Sequence, residues 1–229
     1  MVISGGTAMK KYLCALFLLL SIPAYALENF NVSELEAVKD TDQIIIVSVI
    51  KGSSANLAFY QQNYDSGEWS KLLDTSAFIG KNGLGKTREG DSKTPIGLFH
   101  FTQAFGIKKD PGCAFGDYLK VDGSHYWVGD SKSDRYNQMV TTREYKQFNR
   151  HDSEHIIDYV PQYNYAMNIS YNENGTPKKG SAIFLHCKGS KPYTGGCVSI
   201  GEEDMKFIIQ NVKPNCKIII DFVKNIGGY

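Results

Sequence analysis

The stretch GSAIFLHCKGSKPYTGGCVSIGEEDM, residues 180–205, governs the reading of the whole chain. Side chains along a strand point alternately to opposite faces, so residues 181–187 read as a strand with Ala182, Phe184 and His186 on one face and Ile183, Leu185 and Cys187 on the other. Both faces are apolar up to the strand's end, which predicts a central position in a sheet. Further on, Met205, Ile208, Ile209 and Val212 recur at helical spacing, and Ser199 followed three residues later by Glu202 reads as a capping box. Pro214 closes that helix, and CKIIIDFV, residues 216–223, reads as the last strand.

Upstream, QIIIVSVI (43–50) is a β-branched run of strand length, GSS (52–54) a turn, and residues 56–61 the hairpin partner. Trp69 and residues 71–79 continue the sheet. GKNGLGKTREGDSKTPIG (80–97) is loop chemistry, and a strand resumes at 98–103. Residues 105–150 mix glycine, aspartate, lysine and aromatics without a period, which predicts a long decorated insertion. Residues 153–159 read as a short turn or helix, 165–171 as a strand, 27–42 as a polar lead-in and 224–229 as a tail. The expected fold is mainly β with a few helices and no internal repeat.

The chain has 229 residues, 42% of them hydrophobic, and a net charge of +1 without a run of like charges, so nucleic acid is not an expected partner. MKKYLCALFLLLSIPAYA, from Met9, has two lysines, an apolar run from Tyr12 to Ile22 and a small-residue cleavage site ending at Ala26. That pattern predicts an export signal over residues 1–26, with Met9 the better start and no stable membrane span after cleavage. Loss of Lys10 and Lys11 moves the net charge to −1. Four cysteines then remain, Cys113, Cys187, Cys197 and Cys216, an even number in a chain bound for an oxidising compartment, so two disulfides are one expectation.

The other expectation concerns Cys197. Ten residues separate it from His186, enough for a loop that returns beside the strand end. Gly195 and Gly196 lack a Cβ, so backbone N–H groups there can approach a bound carbonyl and form an oxyanion hole. Cys197 also lies just ahead of the expected helix cap, where the dipole favours a thiolate. Together these features describe a Cys–His pair for acyl transfer, with His186 as base. Spacing alone leaves a reactive thiol, a disulfide cysteine and a zinc ligand open, and zinc is the weakest because no CxxC or HxxxH supplies further ligands. No metal or cofactor is expected. Asp91, Lys93 and Thr94 read first as turn chemistry, Tyr126, Trp127 and Tyr136 as packing, and His100, His125, His151 and His155 as surface or satisfied polar sites.

His186 followed by Thr194-Gly195-Gly196-Cys197 resembles the active-site signature of L,D-transpeptidases of the YkuD type. EGDSKTPIG (89–97) resembles the Gly-Asp-x-x-Thr-Pro-x-Gly segment of that family, and YWVGDSKSDRYNQMV (126–140) and GSAIFLH (180–186) are similar to stretches of one branch of it. Gly195 stands where the commoner pattern has a histidine, and the interval from His186 to the cysteine is shorter than in most members. The resemblance implies a YkuD-like β-sandwich or barrel-like catalytic domain over 43–223. It implies an exported enzyme of the periplasm or cell wall in which Cys197 attacks a peptidoglycan stem tetrapeptide, releases D-alanine, and holds a thioester that an amine resolves.

The same resemblance makes His186, Cys197 and Gly196 the catalytic set and Tyr193, Thr194 and Gly195 the substrate-binding wall. It implies that a backbone carbonyl near Cys187 orients the imidazole, that Cys187 itself is structural, paired with Cys216 or Cys113, and that carbapenem-type inhibitors acylate the thiol. An L,D-carboxypeptidase, with water as acceptor, and a non-catalytic disulfide-bonded wall-binding module are the alternatives. A papain-like hydrolase fits less well, because cysteine precedes histidine there.

Overall fold

A computed structural model describes residues 30–229; the expected export signal lies outside the described residues. Among the described residues twelve strands and one α-helix succeed one another: β1 (Gln43–Lys51), β2 (Ser54–Gln62), β3 (Trp69–Phe78), β4 (Gly97–Gly106), β5 (Tyr118–Lys120), β6 (His125–Trp127), β7 (Met139–Thr141), β8 (Glu154–His155), β9 (Ala166–Ile169), β10 (Phe184–Cys187), β11 (Val198–Ile200), α1 (Glu202–Asn211) and β12 (Lys217–Phe222). Short 3-10 turns fill several of the connections. The architecture is mainly β, as the sequence predicts.

The strands run in the order β12-β1-β2-β3-β11-β10-β9-β4, and β4 pairs back onto β12. The sheet therefore closes into a barrel-like ring, which removes the exposed edges an open sheet would present. β4 makes the closure because it is long enough to serve three neighbours: its first residues, Gly97 to His100, face β12, while Phe101 to Phe105 face β9 and Ala104 to Gly106 also pair with β5. The thinnest seam is β3 against β11, where Ser199 opposite Phe78 is the single paired position.

The continuous apolar run of β1 follows from burial on both sides. Ile45, Val47 and Val49 enter the main core, while Ile44 and Ile46 pack beneath the lead-in, against Val32, Leu35 and Val38. Each such side chain contributes about 1.5–3 kcal/mol relative to exposure. α1 lays Met205, Ile208 and Ile209 on the main core, as its helical spacing requires.

The structure corrects three local expectations. Ser199 is not the helix cap but a buried strand residue of β11, whose backbone pairs with β10 and β3, so α1 starts at Glu202 after Gly201. No side chain caps α1; instead Glu202, Glu203 and Asp204 place negative charge at the positive end of its dipole. The strand expected over 181–187 begins only at Phe184, because Ala182 sits in the left-handed region at φ +54° and breaks the extended run. The insertion over 105–150 supplies β6 and β7, which join β8 from beyond it in the small sheet β7-β6-β8, and the short turn or helix expected at 153–159 is β8 followed by a 3-10 helix, Ile156–Asp158.

Candidate active site

β10 carries the site. Its alternation holds as read: Leu185 and Cys187 face the main core, while Phe184 belongs to a separate cluster with Phe105, Trp127, Tyr163 and Cys197. Phe184 meets Trp127, Phe105 and Tyr163 edge to face at ring separations of 4.8, 5.2 and 5.4 Å. Two residues along the same face stands His186, whose ring meets Tyr163 edge-on at 5.5 Å.

The Cys197 thiol lies against the start of the same strand. It donates to the Ala182 carbonyl at 3.1 Å and accepts from the Phe184 N–H at 3.3 Å. The left-handed turn at Ala182 is what presents that carbonyl and that amide to one sulfur. β10 and β11 run parallel with His186 opposite Ser199, so the chain reaches Cys197 just before it enters the strand beside His186. Cys197, His186 and Ser199 line one cavity of about 470 Å3.

The loop behind the thiol is held from two sides. The Thr194 hydroxyl donates to the Cys197 carbonyl at 2.6 Å and accepts from the Gly196 N–H at 3.1 Å. The Thr94 hydroxyl donates to the same carbonyl at 3.3 Å and accepts from Gly80 N–H at 2.8 Å. The 80–97 loop thus braces the cysteine. Its Asp91 is an anchor rather than a wall of the cavity: it accepts from the N–H groups of Thr87, Arg88 and Lys93 and pairs with the Lys86 ammonium at 3.1 Å. Burial pushes the Asp91 carboxyl up, but those four donors outweigh it and hold it at about 2.

Tyr193, Thr194 and Gly195 line the cavity with Cys197 and His186. Gly196 packs behind them at φ +153°, where a Cβ would stand 2.9 Å from the Lys93 carbonyl oxygen. Its N–H already serves Thr194, so the expectation that it donates to an oxyanion is corrected. Two further expectations fail. Cys113, Cys187, Cys197 and Cys216 are all free thiols, and Cys187 donates to the Tyr165 carbonyl instead of bridging to Cys216 or Cys113. The helix dipole does not reach the thiol directly, because β11 intervenes before α1.

The pair is neutral at rest. Burial lowers His186 to about 4, against a partial rise from the Cys187 carbonyl that accepts from its Nδ1 at 2.7 Å. Burial and the nearby Glu154 charge push the Cys197 thiol up to about 12. The imidazole is consequently an unprotonated base with Nε2 free to accept, and the thiol keeps its proton until one is withdrawn.

Sequence reasoning missed Glu154, Gln162 and Tyr163, which line the same cavity. Their places come from the pairing of β8 with β6, opposite Trp127, and from the turn leading into β9, and no local motif marks either. Among the described residues, no group of three His, Cys, Asp or Glu side chains is arranged to hold a metal ion, and no helix is long and apolar enough to cross a membrane.

No curated protein matches the chain. Solved structures similar to it include those of the helical cell shape determining protein Pgp2 from Campylobacter jejuni and of a lysine-to-alanine mutant of that protein. Each is 18% identical with a TM-score of 0.41, over 79% of this chain and 48% of that one, so the chain spans about half the length of Pgp2. The L,D-transpeptidase catalytic domain model of the YkuD family matches residues 42–220, a span that holds the closed sheet, His186 and Cys197. The chain therefore belongs to the YkuD family of L,D-transpeptidase catalytic domains.

Proposed function

We propose that this protein is an exported cysteine L,D-transpeptidase that remodels peptidoglycan stem peptides through a Cys197 thioester. The observation that carries the reading is that Cys197, free of any disulfide, and His186, held by the Cys187 carbonyl, line one cavity. His186 Nε2 withdraws the thiol proton as the sulfur attacks the carbonyl of a tetrapeptide donor. The same proton then passes to the departing D-alanine amine, and an amine acceptor opens the thioester. With Gly196 N–H engaged, the developing oxyanion falls to the amides of Gly195 and Cys197. Because both partners are neutral at rest, proton withdrawal and attack are coupled, and no preformed ion pair is needed.

Intact mass after incubation with a carbapenem tests the thiol, and tetrapeptide muropeptides test the reaction. The expected results are one adduct, lost in Cys197→Ala, and cross-linked or exchanged products from the wild type. An unmodified wild-type protein that leaves the muropeptides intact would reject the reading.

A further inference from the structure

Glu154 stands in the active-site cavity without a role in forming the thioester. β8 brings it there by pairing with β6, and its carboxylate accepts from the Tyr163 hydroxyl at 2.5 Å. Tyr163 in turn meets the His186 ring edge-on, so this carboxylate is one residue removed from the base. Among the described residues no lysine, arginine or histidine pairs with it. Lys86, the ammonium group deepest in the cavity, is committed to Asp91, and the neighbouring carboxylate of Glu89 takes the Tyr136 and Ser181 hydroxyls.

Such a charge is unhelpful to acylation. It opposes ionisation of Cys197, and its own desolvation, with Glu89 close by, pushes its carboxyl up to about 7. A partly desolvated carboxylate facing open space is stabilised by a ligand that brings positive charge. An ammonium supplies that charge and N–H donors with it, whereas a donor peptide's terminal carboxylate would meet repulsion there.

We propose that Glu154 is the acceptor-side catalytic residue: its carboxylate receives the ammonium of the incoming amine and takes one proton from it. This rests on the transpeptidase reading above. The step balances as follows. R–NH3+ gives a proton to Glu154, leaving R–NH2. The amine nitrogen forms a bond to the thioester carbon, and the C–S bond breaks. His186 takes the second proton from that nitrogen and returns it to the departing Cys197 sulfur, while Glu154 releases its own proton to water.

The test compares Glu154→Gln with wild type, full chain, in two measurements: acylation by a carbapenem followed by intact mass, and transfer from a disaccharide tetrapeptide to D-methionine or to a second tetrapeptide. The glutamine keeps an acceptor for Tyr163 and removes the charge. The expected result is thioester formation as fast as wild type or faster, transfer to amine at least thirtyfold slower, and accumulated acyl-enzyme. Tyr163→Phe, which keeps the carboxylate but frees it, is expected to retain transfer to within about tenfold. Equal slowing of both steps in Glu154→Gln, or transfer at the wild-type rate, would overturn the proposal alone. A wild type that forms the thioester and yields only hydrolysed tripeptide would overturn it together with the amine-acceptor step of the underlying reading, and one that never forms the thioester would bring down that reading whole.

Discussion

His186 Nδ1 lies 2.7 Å from the backbone carbonyl oxygen of Cys187, its own neighbour in β10. A carbonyl oxygen can only accept, so Nδ1 carries the proton and Nε2 is left as the base. A backbone atom of a central strand cannot swing away, and it fixes the ring without adding a charge. His186→Gln should therefore remove the base and little else. Loss of a positioned general base costs about 10²–10⁴ in rate, and acylation of Cys197 should fall by that factor, read as the rate of adduct formation by mass. Persistence of wild-type acylation would show that another group takes the proton.

Two of the shifted groups in the cavity, His186 and Glu154, act on stability in opposite senses. His186 titrates near 4 in the fold and near its ordinary 6.5 when unfolded, so between those values the unfolded chain binds a proton the fold does not. Stability is then lost as pH falls from 6.5 toward 4, by up to about 3 kcal/mol for this one group. Glu154, raised to about 7 from 4.5, makes the fold hold the extra proton, so its contribution is present below 4.5 and lost as pH rises to 7. The two offset each other between 4.5 and 6.5. Denaturant midpoints should thus fall with rising pH over that range in His186→Gln and rise with it in Glu154→Gln. Parallel curves for both variants would contradict the opposing shifts.

Much of the barrel was legible because its signals are local. The β-branched run at 43–50 and its hairpin are β1 and β2, and the buried face of α1 follows its helical spacing. Ser199 misled because a strand of three residues, Val198–Ile200, claims it, and so short a strand is set by its neighbours. The insertion was opaque for the same reason: β6, β7 and β8 have two or three residues each, and their registers are tertiary facts. His186 and Cys197 stood out as rare residue types, one closing an apolar run and the other following a pair of glycines. Glu154 did not, since nothing along the chain distinguishes a carboxylate that later pairing will place beside a thiol.

Phe184 ties the fold to the site. It is fully buried, and its ring touches those of Phe105, Trp127 and Tyr163 while its N–H reaches the Cys197 sulfur. Phe184→Ala would open a cavity under both reactive side chains at a cost of about 3–5 kcal/mol. Phe184→Leu, closer in volume, should recover much of that loss. Chemical denaturation of the two variants checks the order, and equal midpoints would mean that the aromatic cluster collapses without cost.

The adjacent glycines ahead of Cys197 should respond differently to the same change. At Gly196 an added Cβ would sit 2.9 Å from the Lys93 carbonyl oxygen and 3.2 Å from Ile183 Cδ1, on a backbone at φ +153° that side chains rarely adopt. At Gly195 it would meet nothing within 4 Å, and no positive φ constrains the position. Gly196→Ala must therefore displace the loop that Thr94 and Thr194 hold against the Cys197 carbonyl, at about 1–3 kcal/mol for the strained backbone alone. Gly195→Ala should hold stability to about 0.5 kcal/mol, the ordinary effect of a surface substitution. Thermal melts of the two variants decide the matter. A Gly196→Ala protein as stable as wild type would mean that the close approach to Lys93 does not constrain the turn.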